Sequence, residues 1–93
     1  MLKKINEGGV VGDNGFSIQI TGPEELEYKY NNHLVKIDMG YDPKKKKIYI
    51  YADNIGQWDL PNKHKLISSD EKKNIINNIK EAVKLLKGNY EIA

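Results

Sequence analysis

The sequence has no cysteine and no arginine, and its 93 residues include one tryptophan, one phenylalanine and one threonine. Without cysteine there is neither a disulfide framework nor a thiolate metal site, so the core alone must hold the fold. Without arginine the chain lacks the side chain best suited to phosphate forks and base edges; all fifteen basic residues are lysine. No apolar run approaches the about 20 residues needed to span a bilayer. Met1 to Gly9 contains no apolar core segment and no small-residue cleavage site, so no secretory signal is expected and the chain reads as cytoplasmic.

What is present points to one small folded domain covering 1–93. Hydrophobic residues make up 39%, and twelve isoleucines and six tyrosines argue against disorder. The net charge of +2 conceals an uneven distribution. Residues 1–42 carry four lysines against seven acidic residues, net −3, and residues 43–93 carry eleven lysines against six, net +5. Such a gradient can steer a charged partner.

The glycine-rich stretch 8–15 reads as a turn between an extended N-terminal segment and the first good strand. Phe16 to Thr21 alternates apolar and polar, the period-2 mark of a half-buried strand, and Gly22-Pro23 ends it. Leu26 to Tyr30 and His33 to Met39 flank Asn31-Asn32, and asparagine tolerates the positive φ of a two-residue hairpin turn. That turn sets Tyr30 opposite His33, Tyr28 opposite Val35 and Leu26 opposite Ile37. Glu27, Lys29, Lys36 and Asp38 then lie on the other side, so register and hydrophobic pattern agree. A turn around Asp42-Pro43 leads to the β-prone Ile48-Tyr49-Ile50-Tyr51.

The period then changes. Ser68-Ser69-Asp70-Glu71 forms a capping box, and Ile75, Ile76, Ile79, Ala82, Val83 and Leu86 make one face of a helix. Gly88 reads as its stop, and Tyr90-Glu91-Ile92 as a short last strand. The fold class is α+β: an antiparallel sheet of about four to six strands with one long C-terminal amphipathic helix packed on it.

Little in the chain supports catalysis. His33 adjoins a turn and His64 lies in a loop, with no carboxylate spaced to complete a metal site, so neither metal nor cofactor is expected. Ser68 and Ser69 are explained by the helix start, which leaves Ser17 as the one other serine. Asp38, Asp53 and Asp59 are the candidate carboxylates for acid–base work, and no feature of the sequence sets their pKa values apart. The glycines of 8–15 lack both the lysine-hydroxyl ending and the following helix of a phosphate-binding loop.

Two surface features remain. Lys44, Lys45, Lys46 and Lys47 beside Tyr49 and Tyr51 fit a small nucleic-acid-binding or regulatory domain, but the absence of arginine makes a turn kept soluble by charge the better reading. Tyr49 and Tyr51 either lie on an open sheet face beside Lys36 and Asp38 or are buried under the N-terminal segment or the helix. In the first case, aromatics ringed by charge form a protein–protein contact surface. Trp58, before Pro61, reads as a plug at a sheet edge.

The order of the second half carries a resemblance. An aromatic strand Ile48-Tyr49-Ile50-Tyr51, the step Trp58-Asp59-Leu60-Pro61 and the capped helix with Ile75, Ile76 and Ile79 resemble the small immunity proteins of bacterial polymorphic and contact-dependent toxin systems, in the immunity family numbered seventy-four. The likeness spans roughly 14–87. It implies a non-enzymatic inhibitor that binds a cognate toxin C-terminal domain by protein–protein association in the cytoplasm, with no membrane partner. The contact residues expected on this reading are Tyr49, Tyr51, Lys36, Asp38 and Glu27, with Glu24 and Glu25 adding acidity. A structural subunit of a larger assembly is the third alternative.

Overall fold

A computed structural model describes residues 2–12, 15–52, 55–59, 66–86 and 88–92. Seven strands and one helix occur among them: β1 (Lys3–Asn6), β2 (Gly9–Val11), β3 (Phe16–Gly22), β4 (Glu25–Tyr30), β5 (His33–Asp42), β6 (Lys47–Ile50), α1 (Ser69–Val83) and β7 (Tyr90–Ile92). The α+β class stands, with more strands than the sequence pattern implied. All lie in one sheet in chain order, so each strand pairs with its neighbours in the sequence. Every pairing is antiparallel except β6 with β7, which is parallel, so the sheet is mixed.

The extra strand comes from the glycine-rich stretch. Val10 pairs with Ile18 and is fully buried, which turns part of the expected turn into ladder. The short last strand expected at Tyr90-Glu91-Ile92 forms as β7, and it returns to β6. Such a parallel return needs a crossover, and α1 supplies it.

The β4–β5 hairpin has the register that its sequence dictates: Leu26 opposite Ile37, Tyr28 opposite Val35, Tyr30 opposite His33. Asn31 and Asn32 take φ of 49° and 65°, the two left-handed positions of a type I′ turn. The ten residues of β5 serve two partners. His33 to Asp38 pair with β4, and Met39 to Asp42 pair with β6. Among the described residues, no strand pairs with the second edge of its first half. Asp59 covers it: its backbone N–H donates to the Leu34 carbonyl at 2.8 Å, and its carboxylate accepts from the Lys36 N–H at 2.7 Å.

The capping box forms as the sequence requires. The Ser68 hydroxyl accepts from the Glu71 N–H at 3.1 Å, and the Glu71 carboxylate accepts from the Ser68 N–H at 3.0 Å. Ile75, Ile79 and Ala82 are buried against the sheet, followed by Leu86 just beyond the helix, while Ile76 and Val83 are half-buried. The helix ends at Val83, short of Gly88, and the chain tightens through Leu85 N–H to Ala82 and Leu86 N–H to Val83 bonds. Phe16, Ile18, Leu26, Tyr28, Val35, Ile37, Met39 and Ile50 complete one core with the helix. Trp58 is a plug in that core, 2% exposed, stacked on Tyr28 at 6.4 Å and meeting the His33 ring edge-on at 5.2 Å.

Candidate functional site

The alternation that buries Leu26, Tyr28, Val35, Ile37, Met39 and Ile50 turns the intervening residues away from the helix. Glu27 stands opposite Lys36 and Glu25 opposite Asp38 across β4 and β5. On the same face, Gly40 stands opposite Tyr49, and Tyr49 stands beside Glu91 of β7. Tyr51 follows β6, and its N–H donates to the Asp38 carbonyl at 2.9 Å. The five expected contact residues are thus brought to one face of the sheet, the one that α1 does not cover. Lys36 and Asp38 are exposed, Tyr51 is 38% exposed, and Glu27 and Tyr49 are half-buried. Of the two readings of the tyrosine pair, the structure gives the open face.

The sequence reading missed what seats Tyr51. A β-carbon on Gly40 would stand 2.8 Å from the Tyr51 hydroxyl oxygen, so the ring lies across the bare backbone of β5. The signal was present as a glycine in mid-strand beside an aromatic strand. Glu25 and Asp38 are also unusual, since like charges directly opposite each other weaken a ladder. Thr21 partly relieves this by donating its hydroxyl to the Glu25 carboxylate at 3.1 Å.

The lysine turn is organised by Asp42, whose carboxylate accepts from the N–H groups of Lys44 and Lys45 at 2.9 and 3.4 Å. Lys44, Lys45 and Lys46 are exposed, whereas Lys47 belongs to β6 and pairs with Glu91 at 3.2 Å. Asp59, a candidate carboxylate for chemistry, is engaged at the β5 edge as described. The Nδ1 of His33 lies 2.8 Å from the Asn31 carbonyl oxygen. Asp53 and His64 lie outside the described residues. Among the described residues, no group of three His, Asp or Glu side chains stands close enough to hold a metal ion. No described helix is long and apolar enough to cross a membrane.

A second feature lies on the helix side, where a cleft of about 200 Å³ is lined by Tyr28, Tyr30, Trp58, Glu71, Asn74, Ile75 and Asn78. The four α1 residues fall at the spacing of one helical face. Asn78 donates its amide to the Tyr28 hydroxyl at 2.8 Å. Burial raises the pKa of the Tyr28 phenol above its ordinary value; the Asn78 hydrogen bond lowers it and nearby Tyr30 raises it further. Nothing in the local pattern around Tyr30 or Asn74 announced this cleft, because its walls come from three separated segments.

A family model described as Immunity protein 74 matches residues 17–92, a span that runs from β3 to β7. No curated protein matches the chain. No solved structure matches it either.

Proposed function

Because the chain belongs to the family Immunity protein 74, we propose that it is a non-catalytic inhibitor that binds a cognate bacterial toxin domain and neutralises it by protein–protein association. It acts in the cytoplasm of the cell that must be protected, as one half of a polymorphic or contact-dependent toxin system. The observation that supports this reading is the helix-free sheet face, where Tyr49 and Tyr51 lie among Glu25, Glu27, Lys36 and Asp38. A rigid, two-sided sheet with one side packed and the other aromatic and charged suits tight docking. Aromatic anchors supply most of the affinity at such surfaces, and surrounding charges set orientation and rate.

On this reading the toxin is held by contact alone and no bond is made or broken. The acidic side chains of the first half of the chain lie beside the tyrosines, so the toxin surface that meets them is basic. Co-purification with the C-terminal toxin domain encoded next to the gene tests the proposal. The expected result is a stable complex in which Tyr51→Ala weakens binding by roughly tenfold or more, as loss of an aromatic anchor does. Failure of the wild-type chain to form a complex at micromolar concentrations sinks the reading.

A further inference from the structure

Among the described residues, strand edges without a strand beside them are guarded to different degrees. Along the outer edge of β1, Lys3 and Lys4 are charged and the pairing register shifts between Lys4 and Asn6, two devices that discourage a further strand. The edge of the first half of β5 is closed by Asp59. The outer edge of β7 carries none of these. Tyr90-Glu91-Ile92 has no lysine, its register with β6 is unbroken, and the Glu91 carboxylate is paired with Lys47 at 3.2 Å.

The register also assigns the backbone groups of β7. The Ile48 N–H donates to the Asn89 carbonyl at 2.7 Å, and Tyr90 stands opposite Ile48. In a parallel ladder of that register Glu91 directs its N–H and carbonyl to β6, so those of Tyr90 and Ile92 point outward. Beside them lies a groove of about 430 Å³ between β7 and the last turns of α1, lined by Lys80, Glu81, Val83, Lys84 and β7 itself. Val83, Tyr90 and Ile92 are half-buried and pack against the core, which gives the groove an apolar floor.

We infer that β7 accepts a further strand: an extended segment of the toxin domain adds to this edge and rests its inward side chains in the groove. The inference rests on the immunity reading for the identity of the partner. Outward N–H and carbonyl groups in strand spacing are matched by another polypeptide backbone, and the apolar floor by every second side chain along it. Glu91 stands beside Tyr49, so the added strand extends the open face that carries the proposed contacts. A second copy of this chain fits poorly. Two-fold pairing of β7 with itself sets Glu91 opposite Glu91 and turns Lys80 and Lys84 of two helices toward each other.

Two variants separate the backbone from the side chain. Ile92→Ala shortens the side chain and keeps the N–H, whereas Ile92→Pro removes the outward N–H and leaves the bonds to β6. Ile92→Pro is expected to bind the toxin domain roughly tenfold more weakly than Ile92→Ala, the loss that one hydrogen bond accounts for. A measurement on the wild type needs no variant. In the complex, the Tyr90 and Ile92 amides are expected to exchange roughly tenfold or more slowly than in the free chain, with Lys4 and Ile5 unchanged. Equal affinities of the two variants, or no slowing at Tyr90 and Ile92, overturn the inference and leave the immunity reading standing. A wild-type dimer that Ile92→Pro separates, seen by sedimentation, gives the edge to a second copy and overturns the toxin assignment. If the wild-type chain forms no complex, the immunity reading fails, and a short capped peptide alternating valine and lysine tests the edge alone. Nitrogen-15 spectra are then expected to show saturable shifts at Val83, Tyr90 and Ile92 that the same peptide, N-methylated throughout, does not produce. No shift, or equal shifts from both peptides, overturns the strand-accepting edge.

Discussion

Lys46 closes the turn into β6 with φ of 51°, a left-handed conformation that costs a residue with a β-carbon about 1 kcal/mol. Lys46→Gly is therefore expected to stabilise the chain by about 0.5 kcal/mol, after allowing for the greater freedom glycine has when unfolded, as read from the urea midpoint. The strain at Asn31 and Asn32 was legible in the sequence because asparagine at a two-residue turn has a local cause. The Tyr28–Asn78 hydrogen bond was not, since its partners lie fifty positions apart. That bond has a pH consequence. Burial raises the Tyr28 pKa in the folded chain, so the protonated phenol is favoured by folding. Its contribution to stability is complete below pH about 10 and is lost as pH rises through the raised value. Tyr28→Phe is expected to cost about 1 kcal/mol at neutral pH and to flatten the alkaline decline in stability. Some decline remains, because burial raises the Tyr90 pKa in the same direction. Chemical denaturation at pH 7 and across the alkaline range checks both halves.

At the scale of elements, α1 was the most legible piece. Its start needs only Ser68 and Glu71 and its buried face only the spacing of Ile75, Ile79 and Ala82. Ser68→Ala is expected to destabilise by about 1 kcal/mol through loss of the cap, visible as a lower melting temperature. The first half of β5 is a different case. Its exposed edge is closed by Asp59, which imitates a strand with one backbone N–H and one carboxylate. The sequence showed Asp59 only as a carboxylate near a tryptophan, because neither its N–H nor its side chain meets a neighbour in the chain. Asp59→Ala is expected to cost about 1–2 kcal/mol, since a charged acceptor is lost from the Lys36 N–H. It also reopens a strand edge, so light scattering on concentrated protein is expected to show more self-association than in the wild type. β2 escaped the sequence reading because three residues flanked by glycines carry no period. Its place is fixed by the Ile18 that Val10 meets.

For the whole molecule, the core and the two sides of the β4–β5 hairpin were legible, because one alternation dictates both. The side on which Tyr49 and Tyr51 lie was left open by a segment that is apolar on both faces. The parallel placement of β7 was not legible either, because strand direction depends on where the helix returns the chain and no local residue encodes it. The two parts of the sheet differ in how they are joined. β1 to β6 pair with sequence neighbours, while Ile48 meets Tyr90 and Ile50 meets Ile92 across the helix. Hydrogen exchange is expected to be slowest in β3, β4 and the first half of β5, where both the core and the ladder are continuous, and to be fast in β7, a three-residue edge strand. Equal protection in β4 and β7 would mean that the sheet opens only as one unit. The same arrangement matters while the chain is being made. Each strand up to β6 finds its partner already synthesised, so the meander can zip in step with translation. β6, however, emerges with its second edge bare and must wait for residues 90–92, some forty positions later, before it is covered. A chain cut short inside α1 would therefore leave Lys47–Ile50 as an open template, which makes such fragments the form of this protein most in need of a chaperone or a protease.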